Sequence, residues 1–498
     1  MVSQYFIWKV FNVIKRILLL VLSSFALFFS TLLIAQESFA QESIIQKSVT
    51  QEMPDSIRGA LCMVKANEKV VLVNEILTQQ ISLPGGTIDP GEPPSLTAQR
   101  ETWEETGLVV TVGDVLGYTN TAVIYDCISD SEIIAYEYNN ELDGNTMPIW
   151  FAPHYGIEVS SAMLLLPELL PNERYRYPEQ WNDIKAMHQH ATDQSVTFVS
   201  ELIKAAPELN QSQLHWIVSM QQSVASLPSV ILAAIELGNG LLNQLTKPWL
   251  LLIILPILYW RFGKEFNYKV FFAITATSLL CLVAQQGFAI PRPHAYIPAI
   301  DMYHSYGFGF PSLPIAIWFC IAGLVYKQID DELKQRFVIG FLSLVLVVGL
   351  SQFYSGSAFI WDMLIGALLG ILVAWHIIRL ESKPDVDLMS VICSRGLWVA
   401  VSVGAVALTV IWPLPVFTSW IAITITMLGL VLSLERDKKT ILFKQLLIII
   451  AFLLSANQLL LFIASFVSYS SILSLMMESI RFPILIICYA GLVRKFSQ

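Results

Sequence analysis

The chain has 498 residues, of which 55% are hydrophobic and only 14% are charged, and its formal net charge at pH 7 is −9. Soluble domains usually carry about 25% charged residues, so this chain has too few to cover a surface that faces water. With 11% aromatic residues and 6 cysteines, collagen-like, disordered and disulfide-scaffold proteins are also excluded. The composition indicates a membrane protein.

The first 40 residues have the pattern of an export signal. Basic residues up to Arg16 precede an apolar run over residues 17–35, and Ser38 and Ala40 are small residues at the −3 and −1 positions of a cleavage site. The apolar run also approaches the roughly 20 residues that a helix needs to span a bilayer. Residues 1–40 are therefore predicted to be a signal peptide or an N-terminal anchor, and either one exports the segment that follows.

Charge is divided unevenly along the chain. Acidic side chains outnumber basic ones between residues 36 and 228, whereas basic side chains are in excess from residue 229 onward. Binding to a nucleic-acid backbone requires clustered Lys and Arg, so the acidic segment argues against a nucleic-acid partner. A phosphorylated substrate would need metal ions to bridge the like charges.

The acidic segment opens with two predicted strands, at residues 59–64 and 70–73, separated by a turn at Asn67 and Glu68. A loop with two adjacent glycines follows. The next pattern predicts a helix from about residue 95 to residue 106, with a glycine directly after it as a stop signal.

Three glutamates lie on one face of this predicted helix. Glu101, Glu104 and Glu105 are spaced i, i+3 and i+4, so their carboxylates share that face. Clustered like charges destabilise a helix by themselves, but they suit a divalent cation, because Mg²⁺ favours carboxylate oxygens together with substrate phosphates. Arg100 precedes the cluster and can pair with Glu104 or hold another carboxylate in place.

These residues resemble the Nudix box, G-x5-E-x7-R-E-U-x-E-E-x-G-U, in which U is a bulky aliphatic residue. The fixed positions are matched by Gly86, Glu92, Arg100, Glu101, Glu104, Glu105, Gly107 and Leu108. One position departs from the pattern, since Thr102 occupies the first U position, a change expected to affect packing only. The resemblance implies an α/β sandwich that hydrolyses a diphosphate linked to another group, with Mg²⁺ or Mn²⁺ as cofactor.

The same resemblance assigns roles to individual residues. It implies that Glu101, Glu104 and Glu105 bind the metal, and that Glu104 or Glu105 assists deprotonation of the attacking water. Arg100 would be catalytic by orienting a glutamate. The remaining positions of the box, Gly86, Glu92 and Gly107, would be structural.

Other residues of the exported segment leave alternatives open. The stretch 126–195 is rich in tyrosine, tryptophan and histidine, which could stack on a base or line an apolar groove, or could simply pack in the core and on the surface. His188 and His190 are interpreted as solvated, because their i, i+2 spacing points them apart on a helix. Cys62 and Cys127 could form one disulfide, or could be two small strand residues.

From residue 248 onward the chain contains about nine stretches that could span a bilayer. They lie near 248–262, 269–290, 314–326, 337–353, 359–378, 396–412, 416–433, 445–463 and 472–492. Alternate connections are basic, and by the positive-inside rule these are cytoplasmic. The first span then starts on the outer side, in agreement with the exported segment.

The outer connections resemble the three motifs of type-2 phosphatidic acid phosphatases, K-x6-R-P, P-S-G-H and S-R-x5-H-x3-D. The frame is kept by Arg292-Pro293, Pro311-Ser312, Ser351 and Asp362, but Gln285, Pro314 and Ala358 replace the lysine and the two histidines. That mechanism needs one histidine as nucleophile and another as general acid. The resemblance therefore implies a catalytically degenerate domain in which Arg292 and Asp362 are vestigial phosphate-binding residues, although His294 and His304 are nearby alternatives.

The sequence thus predicts an α/β Nudix sandwich followed by an all-α polytopic transmembrane domain. The predicted units are 1–40, the Nudix domain 55–205, a linker and pre-membrane helix 206–247, a phosphatase-like transmembrane domain 248–380, and further transmembrane helices 381–498. The expected location is the bacterial inner membrane, with the Nudix domain on the periplasmic side and a small-molecule or lipid diphosphate, such as an isoprenoid diphosphate, as substrate. Two alternatives remain: undecaprenyl-diphosphate phosphatase-like activity in the membrane half, and a non-catalytic lipid-binding or transport module.

Overall fold

The structure is a computed structural model that describes residues 54, 56–431 and 441–496. The predicted signal peptide or anchor, residues 1–40, lies outside the described residues. An α/β domain comes first and a large set of helices follows, as the sequence predicted.

Short strands form three sheets in the described part of the α/β domain. The strands are β1 (Gly59–Met63), β2 (Lys65–Ala66), β3 (Lys69–Glu75), β4 (Ile81–Ser82), β5 (Gly85–Thr87), β6 (Val110–Tyr118), β7 (Ala122–Ser129), β8 (Ile133–Tyr136), β9 (Asn145–Met147), β10 (Val159–Leu165), β11 (Asp193–Gln194) and β12 (Val196–Val199). The first sheet has the order β5-β1-β7-β6, with β1 and β7 parallel. The second has the order β11-β2-β3-β10-β9, with β4 beside β3, and the third pairs β12 with β8.

Helices α1 (Pro94–Thr106) and α2 (Trp181–His188) belong to two different hydrophobic cores. Strand β3 contributes to both, because successive side chains of a strand point to opposite faces. Its residues Val71 and Val73 pack in the core that contains Ala98 of α1, whereas Val70 and Leu72 pack in the core that contains α2. The sheets are therefore covered by a helix on each side, and the predicted α/β sandwich is confirmed.

Helix α1 has clear start and stop signals. Pro94 is its first residue, where proline's fixed φ suits a helix and its missing N–H costs nothing. Gly107 ends it in the left-handed conformation with φ +74°, and its N–H donates to the carbonyl of Trp103 at 2.9 Å. A β-carbon on Gly107 would also overlap the exposed ring of Phe151, which would have to move, so the left-handed backbone is the main reason for glycine there. The predicted helix and its end are confirmed.

Cys62 and Cys127 form a disulfide between the neighbouring strands β1 and β7. Both residues are fully buried, and they are 65 residues apart in the sequence, so the bond closes a loop that contains α1. Of the two readings that the sequence left open, the structure has the paired one.

One interpretation of the histidines is wrong. His188 is only 6% exposed, whereas the sequence suggested a solvated side chain. It lies at i+7 from Trp181 and i+4 from Ile184, so it belongs to the inner face of α2 that packs on the sheet. Burial lowers the pKa of its imidazole, with the charge of Lys65 acting in the same direction.

The C-terminal part is helical. Its helices are α3 (Glu208–Ala225), α4 (Ser229–Gln244), α5 (Leu251–Phe262), α6 (Lys264–Phe288), α7 (Leu313–Gln328), α8 (Asp331–Tyr354), α9 (Ile360–Glu381), α10 (Leu388–Ile392), α11 (Arg395–Ile411), α12 (Pro415–Val431), α13 (Phe443–Ser465) and α14 (Ser471–Phe496). Every one of the nine predicted stretches overlaps one of these helices.

Five of the described helices, α6, α8, α9, α13 and α14, are long and apolar enough to cross a membrane. A sixth span results if α4 and residues 248–262, which are bent by 65° relative to each other, count as one. Helices α7, α11 and α12 are apolar but shorter. The chain is therefore a multi-pass membrane protein, and within the described residues length and composition support five or six of the nine predicted spans.

Helix α3 follows the α/β domain and packs on the membrane half. It lies in the segment 206–247 that the sequence predicted to be a linker and pre-membrane helix. Its residues Leu214 and Ile217 are buried against Tyr296 and Phe359. The side chain of Gln221 donates to the backbone carbonyls of Ile300 and Tyr354 at 3.0 and 2.6 Å. One face of α3 is therefore packed on the membrane half, while the predicted domain boundaries stay predictions.

The α/β domain also packs directly on residues 291–308, the connection between α6 and α7. The hydroxyl of Tyr136 donates to the carbonyl of Ala295 at 2.7 Å. The ring of Trp150 lies 5.1 Å from that of Tyr296, centroid to centroid. This connection carries part of the phosphatase-like frame, so the α/β domain covers that part of the membrane half.

Candidate active site

Strand β5 brings two glycines against the glutamate face of α1. The N–H of Gly85 donates to Oε2 of Glu105 at 2.9 Å. A β-carbon on Gly86 would overlap the carboxylate of Glu101. The glycine pair that precedes the helix thus allows backbone and carboxylates to approach closely.

Arg100 holds three carboxylates at once. It makes a two-pronged pair with Glu92, from Nε to Oε1 and from Nη2 to Oε2, both at 3.1 Å. Its Nη1 donates to Oε1 of Glu101 at 2.9 Å and to Oε2 of Glu104 at 2.8 Å. The hydrogen bonds from Arg100 lower the pKa of Glu92, and the same bonds raise the pKa of Arg100. Charge-assisted pairs of this kind fix geometry as well as charge, so Arg100 positions the glutamates as its place in the motif suggested.

Glu101, Glu104 and His154 form a group that fits a divalent cation. One ligand atom from each residue can be chosen so that all three lie within 4.8 Å of one another. The backbone N–H of His154 donates to the carbonyl of Glu104 at 2.7 Å, which ties the histidine's loop to α1. Two carboxylates and an imidazole are ordinary ligands of divalent metals.

Glu105 occupies a different position from the other two glutamates. The sequence included it among the metal ligands, but in the structure its carboxylate is buried and held by Gly85, and it lies outside the group of Glu101, Glu104 and His154. Burial raises the pKa of Glu101, and it raises the pKa of Glu105 well above the usual glutamate value.

Sequence reasoning missed His154 as a site residue. It was noticed only as one member of a stretch rich in aromatic residues and histidines. In the structure its Nδ1 lies 3.3 Å from Oε2 of Glu158, and its Nε2 lies 3.9 Å from Oε2 of Glu104. Burial alone would lower the pKa of His154, but the contact with Glu158 and the charges of Glu104 and Glu101 together outweigh it, so the pKa of His154 is raised. The contact with His154 lowers the pKa of Glu158. The one signal was the i, i+4 spacing of a histidine and a glutamate before a strand, and this spacing is common.

The phosphatase-like frame brings Arg292 and Asp362 together. A β-carbon on Gly309 would lie 3.0 Å from Oδ2 of Asp362 and 3.2 Å from Cγ of Arg292. Both side chains bond to backbone groups. Arg292 donates to the carbonyls of Tyr306 and Ser357 at 3.1 and 2.7 Å, and Asp362 accepts the N–H of Phe359 at 2.9 Å. These contacts are structural.

The other positions of the frame also make contacts within the protein. Gln285, in place of the lysine, donates to the carbonyl of Pro311 at 2.8 Å. Ser351 donates to Oδ1 of Asn239, and Ala358, in place of the nucleophilic histidine, is buried. These contacts join α6 to the segment before α7, and α8 to α4.

His294 and His304, the two alternatives to the missing histidines, contact residues outside the fixed positions of the phosphatase-like motifs. Nδ1 of His294 lies 3.4 Å from the carbonyl of Gly356, and burial lowers the pKa of this imidazole. His304 is exposed, and its Nε2 lies 3.1 Å from Oε1 of Glu141 in the α/β domain. His304 therefore bridges the two halves of the protein.

Comparison with known proteins supports both resemblances. Residues 55–180 match the NUDIX domain family, and residues 268–384 match the PAP2 superfamily, the family of the type-2 phosphatidic acid phosphatases. The chain therefore carries a NUDIX domain followed by a PAP2 superfamily domain.

Solved structures similar to this chain include one for each half. The crystal structure of Aquifex aeolicus LpxE is 20% identical, with 32% of this chain and 94% of that chain covered and a TM-score of 0.28. The crystal structure of a NUDIX hydrolase from Nitrosomonas europaea is 14% identical, with 30% and 83% covered and a TM-score of 0.20. A comparison with the curated proteins found no match.

Proposed function

We propose that this protein, a NUDIX domain joined to a PAP2 superfamily domain in one membrane-spanning chain, is a metal-dependent hydrolase that cleaves a diphosphate linkage. The observation that carries the proposal is the group of Glu101, Glu104 and His154 beside the glycines of β5. Mg²⁺ or Mn²⁺ is the cation that we propose for it, because a diphosphate presents hard oxygen ligands.

The residues of the chain have separate roles in this mechanism. Glu101, Glu104 and His154 would hold the cation, and Arg100 keeps Glu101 and Glu104 in place through Nη1. When bound, the cation would neutralise the diphosphate and lower the pKa of a coordinated water.

Glu105 is the residue that we propose as proton acceptor. Its Oε2 is held by the N–H of Gly85, which leaves its other oxygen to take the proton of the attacking water. Burial raises the pKa of Glu105, and a general base is most effective when its pKa lies near the working pH.

A lipid diphosphate, such as an isoprenoid diphosphate, is the substrate class that we propose. The support is the packing of the NUDIX domain on the 291–308 connection of the membrane half, which would bring the domain next to one face of the membrane. The alternation of basic connections and the export pattern of residues 1–40 support the periplasmic face of a bacterial inner membrane.

The PAP2 domain serves as a scaffold in this proposal. Its frame lacks the two histidines, and Arg292 and Asp362 bond to backbone groups instead of facing a free phosphate site. A nucleophilic mechanism needs a group that Ala358 does not have.

Hydrolysis by the purified full-length protein tests this proposal. Polyprenyl diphosphates and nucleoside diphosphates are supplied with Mg²⁺, and released phosphate is measured. Glu104→Gln should lower turnover by at least about a hundredfold, as expected for loss of a metal ligand that supports the reaction. Glu179→Gln, at an exposed position of the same domain, is the matched control.

Two results would contradict parts of the proposal. Turnover that persists in Glu104→Gln, or that ignores a chelator, would reject the metal-dependent NUDIX site. Phosphate release that survives Glu104→Gln but disappears in Arg292→Ala would instead assign phosphatase activity to the membrane half.

A further inference from the structure

The turn at residues 154–158 carries one ligand of the proposed metal group together with its support. His154 supplies one of the three ligand atoms, and Oε2 of Glu158 lies 3.3 Å from Nδ1 of that histidine. The N–H of His154 donates to the carbonyl of Glu104 on α1 at 2.7 Å. A metal ligand that comes from a loop needs further contacts, because a binding group has to stay within about 0.5 Å of its working position.

Backbone hydrogen bonds fold these residues into a compact unit. The carbonyl of His154 accepts the N–H groups of Ile157, Glu158 and Val159 at 3.1, 3.0 and 3.2 Å. The N–H of Gly156 donates to the carbonyl of Val159 at 2.8 Å. A displacement of one part of this turn would therefore move His154 and Glu158 with it.

The same turn packs on the 291–308 connection of the membrane half. The ring of Tyr155 lies 5.8 Å from that of Phe308, centroid to centroid, in an edge-to-face arrangement. Tyr155 is only 4% exposed, so its ring is enclosed by such contacts. The next residue, Gly156, contacts the backbone of Gly307. The connection thus contacts the turn at two successive residues.

Ile157 extends this contact to the membrane helices. Its side chain packs against an apolar cluster that contains Leu282 of α6 and Phe417 of α12, both of them buried. Helix α12 lies beyond the part of the chain that matches the PAP2 superfamily. All three residues between His154 and Glu158 therefore contact the membrane half.

We propose that the membrane half completes the metal site of the NUDIX domain, because Phe308 and the apolar cluster around Ile157 position the turn that presents His154 and Glu158 to the glutamates of α1. The inference rests on the proposed metal-dependent function and adds how the site is held. A NUDIX domain separated from these helices would keep the same ligands, but its turn would lose the contacts of residues 155–157. The degenerate phosphatase half then supports the metal site as well as anchoring the domain.

The test measures the Mn²⁺ affinity of the full-length protein by electron paramagnetic resonance. Phe308→Ala and Ile157→Ala each remove one contact of the turn, one from each half of the chain. Each should weaken Mn²⁺ binding about tenfold, the lower end of the 10–100-fold loss expected when the support of a metal ligand is removed. Phe308→Tyr keeps the ring and should keep the affinity. Glu141→Ala is the matched control, because it removes a different contact between the two halves, the one with His304.

A double-mutant cycle separates the positioning of His154 from a general effect on folding. In protein that already carries His154→Ala, the further change Phe308→Ala should weaken Mn²⁺ binding by less than about twofold, because the ligand that Phe308 positions is absent. A second tenfold loss in that background would overturn the inference.

The remaining outcomes separate this inference from the proposed function. Unchanged Mn²⁺ affinity in both Phe308→Ala and Ile157→Ala overturns the inference, and so does an equal loss of affinity in Glu141→Ala. Wild-type protein that binds Mn²⁺ but hydrolyses no diphosphate rejects the proposed function alone. The changes in Mn²⁺ affinity then still decide whether the membrane half positions His154.

Discussion

Gly156 of the NUDIX domain and Gly307 of the membrane half meet backbone to backbone. A β-carbon on Gly156 would lie 2.8 Å from Cα of Gly307, and both residues have positive φ, +74° and +69°. Because the neighbour of Gly156 in this contact is backbone and not a flexible side chain, the junction of the two domains has no room for a methyl group at Gly156.

Gly156→Ala should therefore destabilise the full-length protein. The left-handed backbone costs an alanine about 1–2 kcal/mol, and the clash with backbone adds about 1–3 kcal/mol. Gly91→Ala is the control, since Gly91 has a similar φ of +84° but open space around it. Thermal unfolding in detergent should show a clearly larger drop in Tm for Gly156→Ala, and equal drops would mean that the two domains do not pack as described.

Because the carboxylate of Glu105 is buried, replacing it should raise the stability of the protein and abolish its activity. Its pKa is raised by burial, so the protonated form is favoured in the folded state. The stability that the protonated carboxyl contributes is present below the ordinary glutamate pKa and is lost as pH rises through the raised value. Glu105→Gln imitates the protonated form. Without metal it should raise Tm at pH 8 by on the order of 3 °C, with a smaller gain at pH 5, while turnover is lost.

Glu92→Gln should change the stability of the protein in the opposite direction to Glu105→Gln. Arg100 lowers the pKa of Glu92, so this group stabilises the fold above its ordinary pKa, and that contribution is lost as pH falls through the lowered value. The Glu92→Gln variant should lower Tm at pH 8.

A Glu105→Gln protein that unfolds at a lower temperature than wild type at pH 8 would contradict the prediction that the buried carboxylate of Glu105 destabilises the fold when it is ionised.

The disulfide predicts sensitivity to reductant. Closing a loop of 65 residues removes unfolded-state entropy worth about 4 kcal/mol in the chain-entropy description. Reductant should lower the unfolding temperature of the NUDIX domain in wild-type protein and have no effect on the Cys62→Ser, Cys127→Ser double variant. The same unfolding temperature with and without reductant in wild-type protein would mean that the two thiols are not paired.

The sequence was sufficient to locate those site residues that lie close together along the chain. The positions of Glu101 and Glu104 followed from helical spacing, and the end of α1 followed from Gly107, because these features depend on neighbours within one turn or one loop. His154 follows the helix at a distance of some fifty residues, and a backbone hydrogen bond to Glu104 brings it to the metal group. Contacts of that range are set by the tertiary fold, which spacing does not encode.

In the membrane half, too, contacts between distant parts of the chain could not be predicted from the sequence. Apolar runs located its helices, and α4 lies in the segment 206–247 that was predicted to contain a pre-membrane helix. Asn239 of α4 accepts a hydrogen bond from Ser351 on α8, and this contact between distant parts of the chain could not be predicted from spacing. Substitutions in the three motifs indicated lost chemistry, whereas the packing of the NUDIX domain over residues 291–308 required the structure.

The role of His154 can be tested through metal binding alone. His154→Ala should weaken Mn²⁺ binding, followed by electron paramagnetic resonance, because the ring supplies one of three ligand atoms. Glu158→Gln should weaken it less, by about 10–100-fold at most, since Glu158 acts by holding the ring at Nδ1. His190→Ala, at an exposed position of the same domain, is the control. Equal Mn²⁺ affinity in His154→Ala and His190→Ala would remove the imidazole from the metal site and leave the glutamates of α1 as its protein ligands.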